Sequence, residues 1–419
     1  MFNNDWNFDL VQSALVSLSE QSSGMIDPDC LVPYFQPIVH APSGKIAGYE
    51  ALARIRQGEK MVSAGHIFDC ADYSASDRLC WDRHVRLQAL QYFASNPEAG
   101  ILSFNVSPSW IDQLGIEDVI PTLDMIEQVG IDPARVVIEI NELSGNLDKL
   151  KTVVARYQAA GVRVAIDDFG NGASQIERLL AINPDIIKLD MHLFKRANGD
   201  VLTSDFLLSF ANMAQRSGCM IVCEGIETEE EYHFALECGA EFCQGWLFYQ
   251  AMEQTIAAED SVDLCRQLNQ SYLTRKLRVS ELKQKRFESL QGLTRQLAET
   301  IGSDSDVQVD AAALSESGVI RFYLCDRFGQ QTSPNFEVGA DQLHIDHAYV
   351  GYSWSHRPFF VELLTQNAGS EDVMVCSELY RDRTSQSFCR TLALPLNESQ
   401  LLLVDALDYD GALLMGAEN

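Results

Sequence analysis

The chain has 419 residues, of which 46% are hydrophobic and 22% are charged, a composition typical of globular proteins large enough for two domains. Its 31 basic and 60 acidic side chains give a formal net charge of -29, which argues against a nucleic-acid polymer or an anionic membrane as main partner. No apolar run approaches the ~18 residues of a membrane-spanning helix, so no membrane insertion is expected.

The N-terminus lacks the basic start of a signal peptide. The eleven cysteines form no Cys-x-x-Cys pair, and several lie inside apolar runs, as reduced core thiols do. We therefore expect a cytoplasmic protein.

The first part of the chain predicts an α/β fold. Within residues 1–27, an amphipathic segment at Phe8–Leu18 predicts a helix. Short apolar runs then alternate with longer helical patterns, which favours a TIM (β/α)₈-type barrel over residues 28–257, with a doubly wound open sheet as the alternative. The eight runs are Leu31–Val39, Gly48–Ile55, Ile101–Val106, Val136–Ile140, Val162–Ile166, Ile186–Leu189, Met220–Val222 and Phe242–Phe248.

Polar residues collect within or just after seven of these runs. In a barrel, the carboxyl ends of the strands meet at one mouth, where active sites form. Oxygen ligands without clustered His or Cys suit Mg²⁺ or Mn²⁺ better than zinc, and two such ions about 3.5–4 Å apart support attack of water on a phosphodiester. A metal-dependent phosphohydrolase is therefore favoured, and an enolase-type barrel with a lysine base stays open. The residues are Glu50, Asn105, Glu139, Glu142, Asp167, Asp168, Lys188, Asp190, Glu224, Glu227 and Gln244.

Asp167 and Asp168 end the apolar run that begins at Val162. Neighbouring side chains on a strand point to opposite faces, so these two acids can converge only where the strand frays. A solvated loop is the alternative interpretation of the pair.

The remainder predicts a long helix and a second domain. Leucines recur between charged residues over 258–301, which predicts a helix that packs on the barrel, connects the domains or forms a two-chain coil. Residues 302–419 predict a smaller mixed α/β domain with a helix at Arg357–Thr365. Its predicted strands are Ile320–Cys325, Val373–Ser377, Thr391–Leu394 and Leu401–Ala406.

Eight short motifs carry a family resemblance. Together, and in this order and spacing over residues 28–255, they resemble the EAL domain family of cyclic di-GMP phosphodiesterases. The motifs are Tyr34–Val39, Tyr49–Arg54, Phe104–Pro108, Glu139–Glu142, Asp167–Gly170, Lys188–Asp190, Glu224–Thr228 and Gln244–Phe248.

The resemblance implies a homodimeric modified TIM barrel that hydrolyses cyclic di-GMP to linear pGpG with two Mg²⁺ or Mn²⁺ ions, Ca²⁺ being inhibitory. The implied metal ligands include a bridging Asp167, and the implied catalytic residues include a lysine that orients the attacking water. By motif position, the roles are metal binding for Glu50, Asn105, Glu139, Asp167, Asp168 and Glu224; catalysis for Lys188, Glu224, Glu50 and Gln244; substrate binding for Gln36, Arg54 and Asp190; and support of the loop after Asp168 for Glu142 and Glu227.

The chain departs from the family pattern in three places. Residues 67–72 are Ile-Phe-Asp-Cys-Ala-Asp where the family usually has Phe-Ile-Pro-x-Ala-Glu. Where the family usually has Thr-Gly-Tyr-Ser-Ser, residues 171–175 are Asn-Gly-Ala-Ser-Gln, which favours an alternative function as a catalytically weak cyclic di-GMP receptor that signals to a partner. Trp246 replaces the usual tyrosine and is interpreted as a packing aromatic rather than a base-stacking platform. Gln36 either binds guanine or caps a strand.

Three stretches of the C-terminal domain resemble PAS-like and Cache-like sensor modules. The resemblance implies that this domain regulates the barrel and that Trp354, Arg357 and Tyr380 contact a small ligand. An arginine among aromatic side chains suits a carboxylate. The alternative is that Arg357 caps its helix or pairs with an acid.

Overall fold

We describe the protein from a computed structural model. The chain divides into two compact units, Met1–Tyr272 and Leu273–Asn419. The helix predicted at Phe8–Leu18 lies outside the described residues, and the domain boundaries predicted from the sequence stay predictions. The described residues are 26–70, 72–106, 119–141, 146–169, 179, 181–190, 201–303, 309–357, 360–362, 365, 373–382 and 384–408.

The first unit contains the predicted barrel. Eight strands follow one another in the order β1-β9-β8-β7-β6-β5-β4-β2, and pairing of β1 with β2 closes the ring. Closure excludes the doubly wound open sheet. A short strand, β3, pairs antiparallel with β2 outside the ring and was not predicted. The strands are β1 Leu31–His40, β2 Lys45–Gln57, β3 Lys60–Ser63, β4 Ile101–Val106, β5 Val136–Asn141, β6 Arg163–Phe169, β7 Ile186–Asp190, β8 Met220–Glu224 and β9 Phe242–Cys243.

Strand β1 runs against the other strands of the ring. It pairs antiparallel with both β2 and β9, whereas the pairs from β2 through β9 around the rest of the ring are parallel. Only residues 41–44 separate β1 from β2. Parallel neighbours need a crossover of a dozen or more residues, so this short connection forces the antiparallel pairing.

Alternation along the strands builds the barrel interior in layers. Val137, Ala165, Ile186 and Val222 form an apolar cluster inside the ring. Two residues further along each of these strands, on the same face, the side chain is polar. The four polar residues are Glu139, Asp167, Lys188 and Glu224.

Helices surround the ring and bury the outward faces of the strands. Phe35 of β1, for example, stacks on Tyr92 and makes an edge-to-face contact with Phe93, both on the second helix. The helix after β8 begins with a capping box in which Thr228 and Glu231 each bond the other's backbone N–H. The described helices of this unit are α1 Gly65–Asp69, α2 Ala75–Ser95, α3 Pro121–Val129, α4 Leu147–Ala159, α5 Val201–Arg216 and α6 Glu229–Glu237.

The predicted long helix is α7, Val262–Ser303. Its Leu268 packs in the core of the first unit, and Leu290 and Leu297 pack in the core of the second. Within the described part of the chain, we find no helix that is both long and apolar enough to cross a membrane.

The described part of the second unit contains an antiparallel sheet and a short helix, α8, at Ala311–Glu316. Of the helix predicted at Arg357–Thr365, residues 358, 359, 363 and 364 lie outside the described residues. The sheet runs in the order β12-β11-β10-β16-β15-β13, with β14 also paired to β15. The four predicted strands correspond to β10, β13, β15 and β16; the shorter β11, β12 and β14 were not predicted. The PAS-like assignment stays a prediction. The strands are β10 Val319–Asp326, β11 Asn335–Val338, β12 Leu343–Asp346, β13 Val375–Cys376, β14 Tyr380–Arg381, β15 Phe388–Pro395 and β16 Gln400–Leu407.

Candidate active site

The polar layer of the barrel converges on one lysine. The Nζ atom of Lys188 lies 2.8 Å from Glu139 Oε2, 2.9 Å from Glu224 Oε2, 3.2 Å from Asp167 Oδ1 and 3.4 Å from Glu50 Oε2. Lys188 is only 2% exposed. Four strands therefore contribute acids to a single buried cluster, as the sequence predicted from their carboxyl ends.

Two amide side chains hold Glu50 in this cluster. Asn105 Nδ2 donates to Glu50 Oε1 at 3.0 Å and to Glu139 Oε2 at 3.3 Å, and Gln244 Nε2 donates to Glu50 Oε2 at 2.8 Å. The Oε1 atom of Gln244 is buried and has no hydrogen-bond partner among the described residues. An unsatisfied buried acceptor at the cluster is suited to a bound water or ligand.

The two adjacent aspartates lie at an irregularity of strand β6. The register between β6 and β7 shifts between Ile166 and Phe169, and such bulges re-aim side chains near active sites. Asp167 is buried and contacts Lys188. The side chain of Asp168 lies outside the described part of the structure.

The cluster carries more negative than positive charge. Burial and the neighbouring Glu50 raise the pKa of Glu139 to about 8, although Lys188 opposes the shift. Burial also raises the pKa of Glu224 well above its usual range, and a hydrogen bond with Asp167 contributes. The four carboxylates outweigh the effect of burial on Lys188 and raise its pKa, so the ammonium stays charged. One ammonium thus faces four acids, and the raised pKa values of Glu139 and Glu224 mean that these two acids hold a proton more readily than exposed glutamates do.

The donor atoms of this cluster fit a divalent cation. Carboxylates and an amide oxygen are the ligands that Mg²⁺, Mn²⁺ and Ca²⁺ prefer, and the excess negative charge favours a cation. Among the described residues, no group of three or more His, Cys, Asp or Glu side chains is already arranged around a metal position, since the acids surround Lys188 instead. Glu50, Asn105, Glu139, Asp167 and Glu224 would hold the ion or ions.

The predicted substrate-binding residues lie on strands around this cluster. Gln36 is paired with Glu50 across β1 and β2, and Arg54 lies further towards the carboxyl end of β2. The Arg54 guanidinium lies 5.9 Å from the centre of the Tyr34 ring. Asp190 ends β7 and pairs with Glu224 of β8.

Of the two predicted loop-support residues, the structure describes only Glu227. Glu142 and residues 171–175 lie outside the described part of the structure. Glu227 is exposed, and its backbone N–H donates to Glu231 Oε2 at 2.6 Å. The roles of these residues stay predictions.

The sequence misjudged the exposure of one residue near the cluster. Trp246, interpreted as a packing aromatic, is 65% exposed. Its position two residues after Gln244, on a turn, is the feature of the sequence that could have indicated an exposed side chain.

The second unit brings the three predicted sensor residues together. The guanidinium carbon of Arg357 lies 5.8 Å from the centre of the Trp354 ring and 5.3 Å from that of Tyr380. Arg357 is half-buried. In the described part of this unit its guanidinium forms no salt bridge, so the interpretation of Arg357 as the partner of an internal acid finds no support.

The fold and this site together define a class: a (β/α)₈-type barrel with a buried acidic cluster at the carboxyl ends of its strands. The chain belongs to the EAL domain family, which matches residues 19–251. Residues 261–411 match a second family, the EAL-domain associated signalling protein domain.

Individual relatives agree with this assignment. The EAL-domain containing protein YkuI of Bacillus subtilis is 24% identical over 91% of this chain and 97% of its own length. Its crystal structure, in complex with substrate c-di-GMP and calcium, superposes with a TM-score of 0.81 over 92% of this chain and 100% of that one, which confirms the fold. The cyclic di-GMP phosphodiesterase RocR of Pseudomonas aeruginosa is 28% identical, but the match covers only 53% of this chain and 57% of RocR.

Proposed function

We propose that this protein hydrolyses cyclic di-GMP to linear pGpG with the help of divalent cations. The observation that carries the proposal is the cluster of four carboxylates around Lys188, an excess of buried negative charge that a cation would offset. The names of the relatives support the substrate: RocR is a cyclic di-GMP phosphodiesterase, and the YkuI crystal contains c-di-GMP with calcium.

The residues of the cluster suggest a division of labour. Divalent cations held by these oxygens would lower the pKa of a water molecule and offset the charge of the phosphate. Glu50, fixed by Asn105 and Gln244, keeps its carboxylate in one orientation. Lys188 supplies a buried positive charge that can orient the attacking water and stabilise charge developing on the phosphoryl oxygens.

The reaction itself is a substitution at phosphorus. The oxygen of water forms a bond to one phosphorus, and the bond from that phosphorus to the ribose 3′ oxygen breaks. The leaving 3′ oxygen takes up a proton, so the product is linear with a 5′ phosphate. The planar guanidinium of Arg54 can donate two parallel hydrogen bonds to a phosphate, so Arg54 would hold the second phosphate.

Hydrolysis of cyclic di-GMP by the full-length chain tests this proposal. Purified protein stripped of metal should form pGpG, detected by liquid chromatography and mass spectrometry, when Mg²⁺ or Mn²⁺ is added. Ca²⁺ should permit binding, measured by calorimetry, with little or no turnover. Absence of pGpG with both Mg²⁺ and Mn²⁺ would contradict the proposal, whether or not cyclic di-GMP binds.

A second candidate function is a receptor that binds cyclic di-GMP without efficient hydrolysis. Two observations favour it: Lys188 already contacts all four acids, and residues 171–175 differ from the usual family loop. Tight binding of cyclic di-GMP in both Mg²⁺ and Ca²⁺, without formation of pGpG, would favour the receptor function over hydrolysis. Restoring Thr at 171 and Tyr at 173 should then raise turnover.

We also propose that the second unit binds a small carboxylate and thereby regulates the barrel. Trp354 is anchored by a 2.9 Å hydrogen bond from its Nε1 to Gln331, and the hydroxyl of Tyr380 lies 3.1 Å from Thr391 Oγ1. Arg357 therefore lies close to two fixed aromatic rings, and its guanidinium can form a bidentate hydrogen bond with a carboxylate.

A thermal-shift screen of carboxylic and amino acids tests this regulatory site. A ligand should raise the melting temperature of the wild type and change its turnover, and Arg357→Met should remove both effects. Arg381→Met, which changes an exposed arginine of the same unit, is the control. A ligand that acts equally on the Arg357 variant would contradict the proposed site.

A further inference from the structure

Trp246 is a large aromatic residue in an unusual environment. Its side chain is 65% exposed, whereas Gly245 before it and Phe248 two positions after it are buried. Within the described residues, its indole forms neither a hydrogen bond nor a ring contact. An exposed indole forgoes burial worth roughly 1.5–3 kcal/mol for a large apolar side chain, which suggests that it packs against something else.

The backbone around Trp246 is held firmly. Ile226 N–H donates to Gln244 O at 3.1 Å, and Leu247 N–H donates back to Ile226 O at 3.0 Å. Phe248 N–H and Tyr249 N–H both donate to Gly245 O at 3.1 Å. The turn therefore presents the indole from a fixed position, which lowers the entropic cost of binding a ligand there.

Glycine at 245 is required for this arrangement. A Cβ atom at that position would lie 2.0 Å from Ile226 O and 2.4 Å from Ile226 N. The turn is thus pressed against the segment that follows Glu224. Gly245 directly follows Gln244, and Ile226 lies two residues after Glu224. Both sides of this contact are therefore next to cluster residues in the chain.

Trp246 also lies close to the acids along the chain. Gln244 Nε2 is 2.8 Å from Glu50 Oε2, and two trans peptide units place the Cα of Trp246 at most about 7.6 Å from that of Gln244. Gln36 Nε2 donates to Tyr249 O at 3.3 Å, so the same turn borders Gln36, whose Oε1 can still accept a hydrogen bond. The turn thus forms part of the rim around the cluster.

We propose that the indole of Trp246 is the surface on which one guanine of the bound cyclic dinucleotide stacks. The inference rests on the proposed function, because a phosphodiester held at the acids must direct its bases towards the rim. Stacking of a base on an aromatic side chain contributes about 1–3 kcal/mol. Trp246 is therefore a substrate-binding residue that favours purines and does not touch the reacting atoms.

Binding of cyclic di-GMP in Ca²⁺, measured by calorimetry on the full-length chain, tests this role. Trp246→Ala should raise the Kd by about 10-fold, within the range of stacking on one base, and Trp246→Phe should restore most of the affinity. Phe206→Ala removes another exposed aromatic, 55% exposed on α5, and should leave the Kd unchanged. Steady-state kinetics should show a raised KM with little change in kcat, since stacking acts equally before and during the reaction.

Each alternative result has a distinct meaning. Equal affinity of wild type and Trp246→Ala would overturn the stacking role while leaving the proposed function intact. If Trp246→Ala binds cyclic di-GMP as tightly as the wild type but has a smaller molecular mass by light scattering, the indole contacts a second copy of the chain. That result would also overturn the stacking role. Failure of the wild type to bind would remove the proposed function and the stacking role together.

Discussion

Lys188 determines the charge balance of the acidic cluster. Its ammonium is 2% exposed and contacts four carboxylates, so its removal would leave those acids facing one another. Removing one partner of a buried ion pair is strongly destabilising, because the remaining charge stays buried without compensation. The same reasoning makes a divalent cation stabilising at this position, since the ion would supply the missing charge.

Lys188→Met should therefore destabilise the protein by about 3 kcal/mol, with a fall in melting temperature of roughly 6–12 °C for a unit of this size. Differential scanning calorimetry on metal-free protein measures the change, and added Ca²⁺ should recover part of the loss. Lys45→Met breaks an exposed pair with Glu259 and is the control. Equal effects of the two substitutions would show that Lys188 does not hold the acids together.

Glu50 offers a second test at the scale of a single residue. Glu50→Gln keeps the shape of a side chain that accepts hydrogen bonds from Asn105 and Gln244, but removes a charged oxygen ligand. We expect turnover of cyclic di-GMP to fall by at least about 100-fold, while circular dichroism shows a folded protein. Glu259→Gln, at an exposed acid outside the cluster, should leave turnover unchanged. A fully active Glu50→Gln would exclude Glu50 from the metal site.

At the scale of strands and helices, alternation explains both the success and the limits of sequence analysis. Glu139 and Lys188 were expected at the mouth of the barrel because they lie within or just after apolar runs. In the structure, each lies two residues beyond an inward-facing apolar residue, which places it on the same face. The antiparallel β1 follows from the short connection at residues 41–44. The bulge at Asp167 could not be foreseen, because a shift of register depends on the neighbouring strand rather than on the local sequence.

Aromatic residues near the site were harder to place than the acids. Trp246 and Phe248 are two residues apart and equally apolar, yet one is exposed and the other buried. The difference arises because Gly245 presses the turn against Ile226, a long-range contact that the sequence does not display. The sequence grouped Arg357 with Trp354 and Tyr380, and the three side chains do lie together. Only the structure shows that the guanidinium of Arg357 forms no salt bridge within the described part of the second unit.

The turn at Gly245 makes a prediction at the scale of one element. Gly245→Ala would place a methyl group 2.0 Å from Ile226 O, so the turn must move away from the segment after Glu224. We expect a loss of about 1–3 kcal/mol in stability and a weaker affinity for cyclic di-GMP. Gly292→Ala, where nothing lies within 4 Å in α7, should instead stabilise by about 0.5–1 kcal/mol. A Gly245 variant as stable and as tightly binding as the wild type would contradict the close approach.

At the scale of the whole molecule, the formal charge of -29 opposes the approach of an anionic substrate. Salt screens such repulsion, because the Debye length falls from about 30 Å at 0.01 M to about 8 Å at 0.15 M ionic strength. The protein therefore has to attract the phosphates at short range, through cations at the acids and through Arg54. Long-range steering by the protein surface should work against binding.

We accordingly expect kcat/KM for cyclic di-GMP to rise several-fold when NaCl is increased from 0.01 to 0.15 M at constant Mg²⁺. The effect should be smaller for bis(p-nitrophenyl) phosphate, a monoanion, than for the divalent cyclic dinucleotide, because the repulsion scales with the product of the charges. Stopped-flow measurement of association in Ca²⁺ separates binding from turnover. A rate that falls with added salt would mean that the positive charge of Arg54 and the bound cations dominates the field at the rim, and that the net charge of the chain has no part in substrate capture.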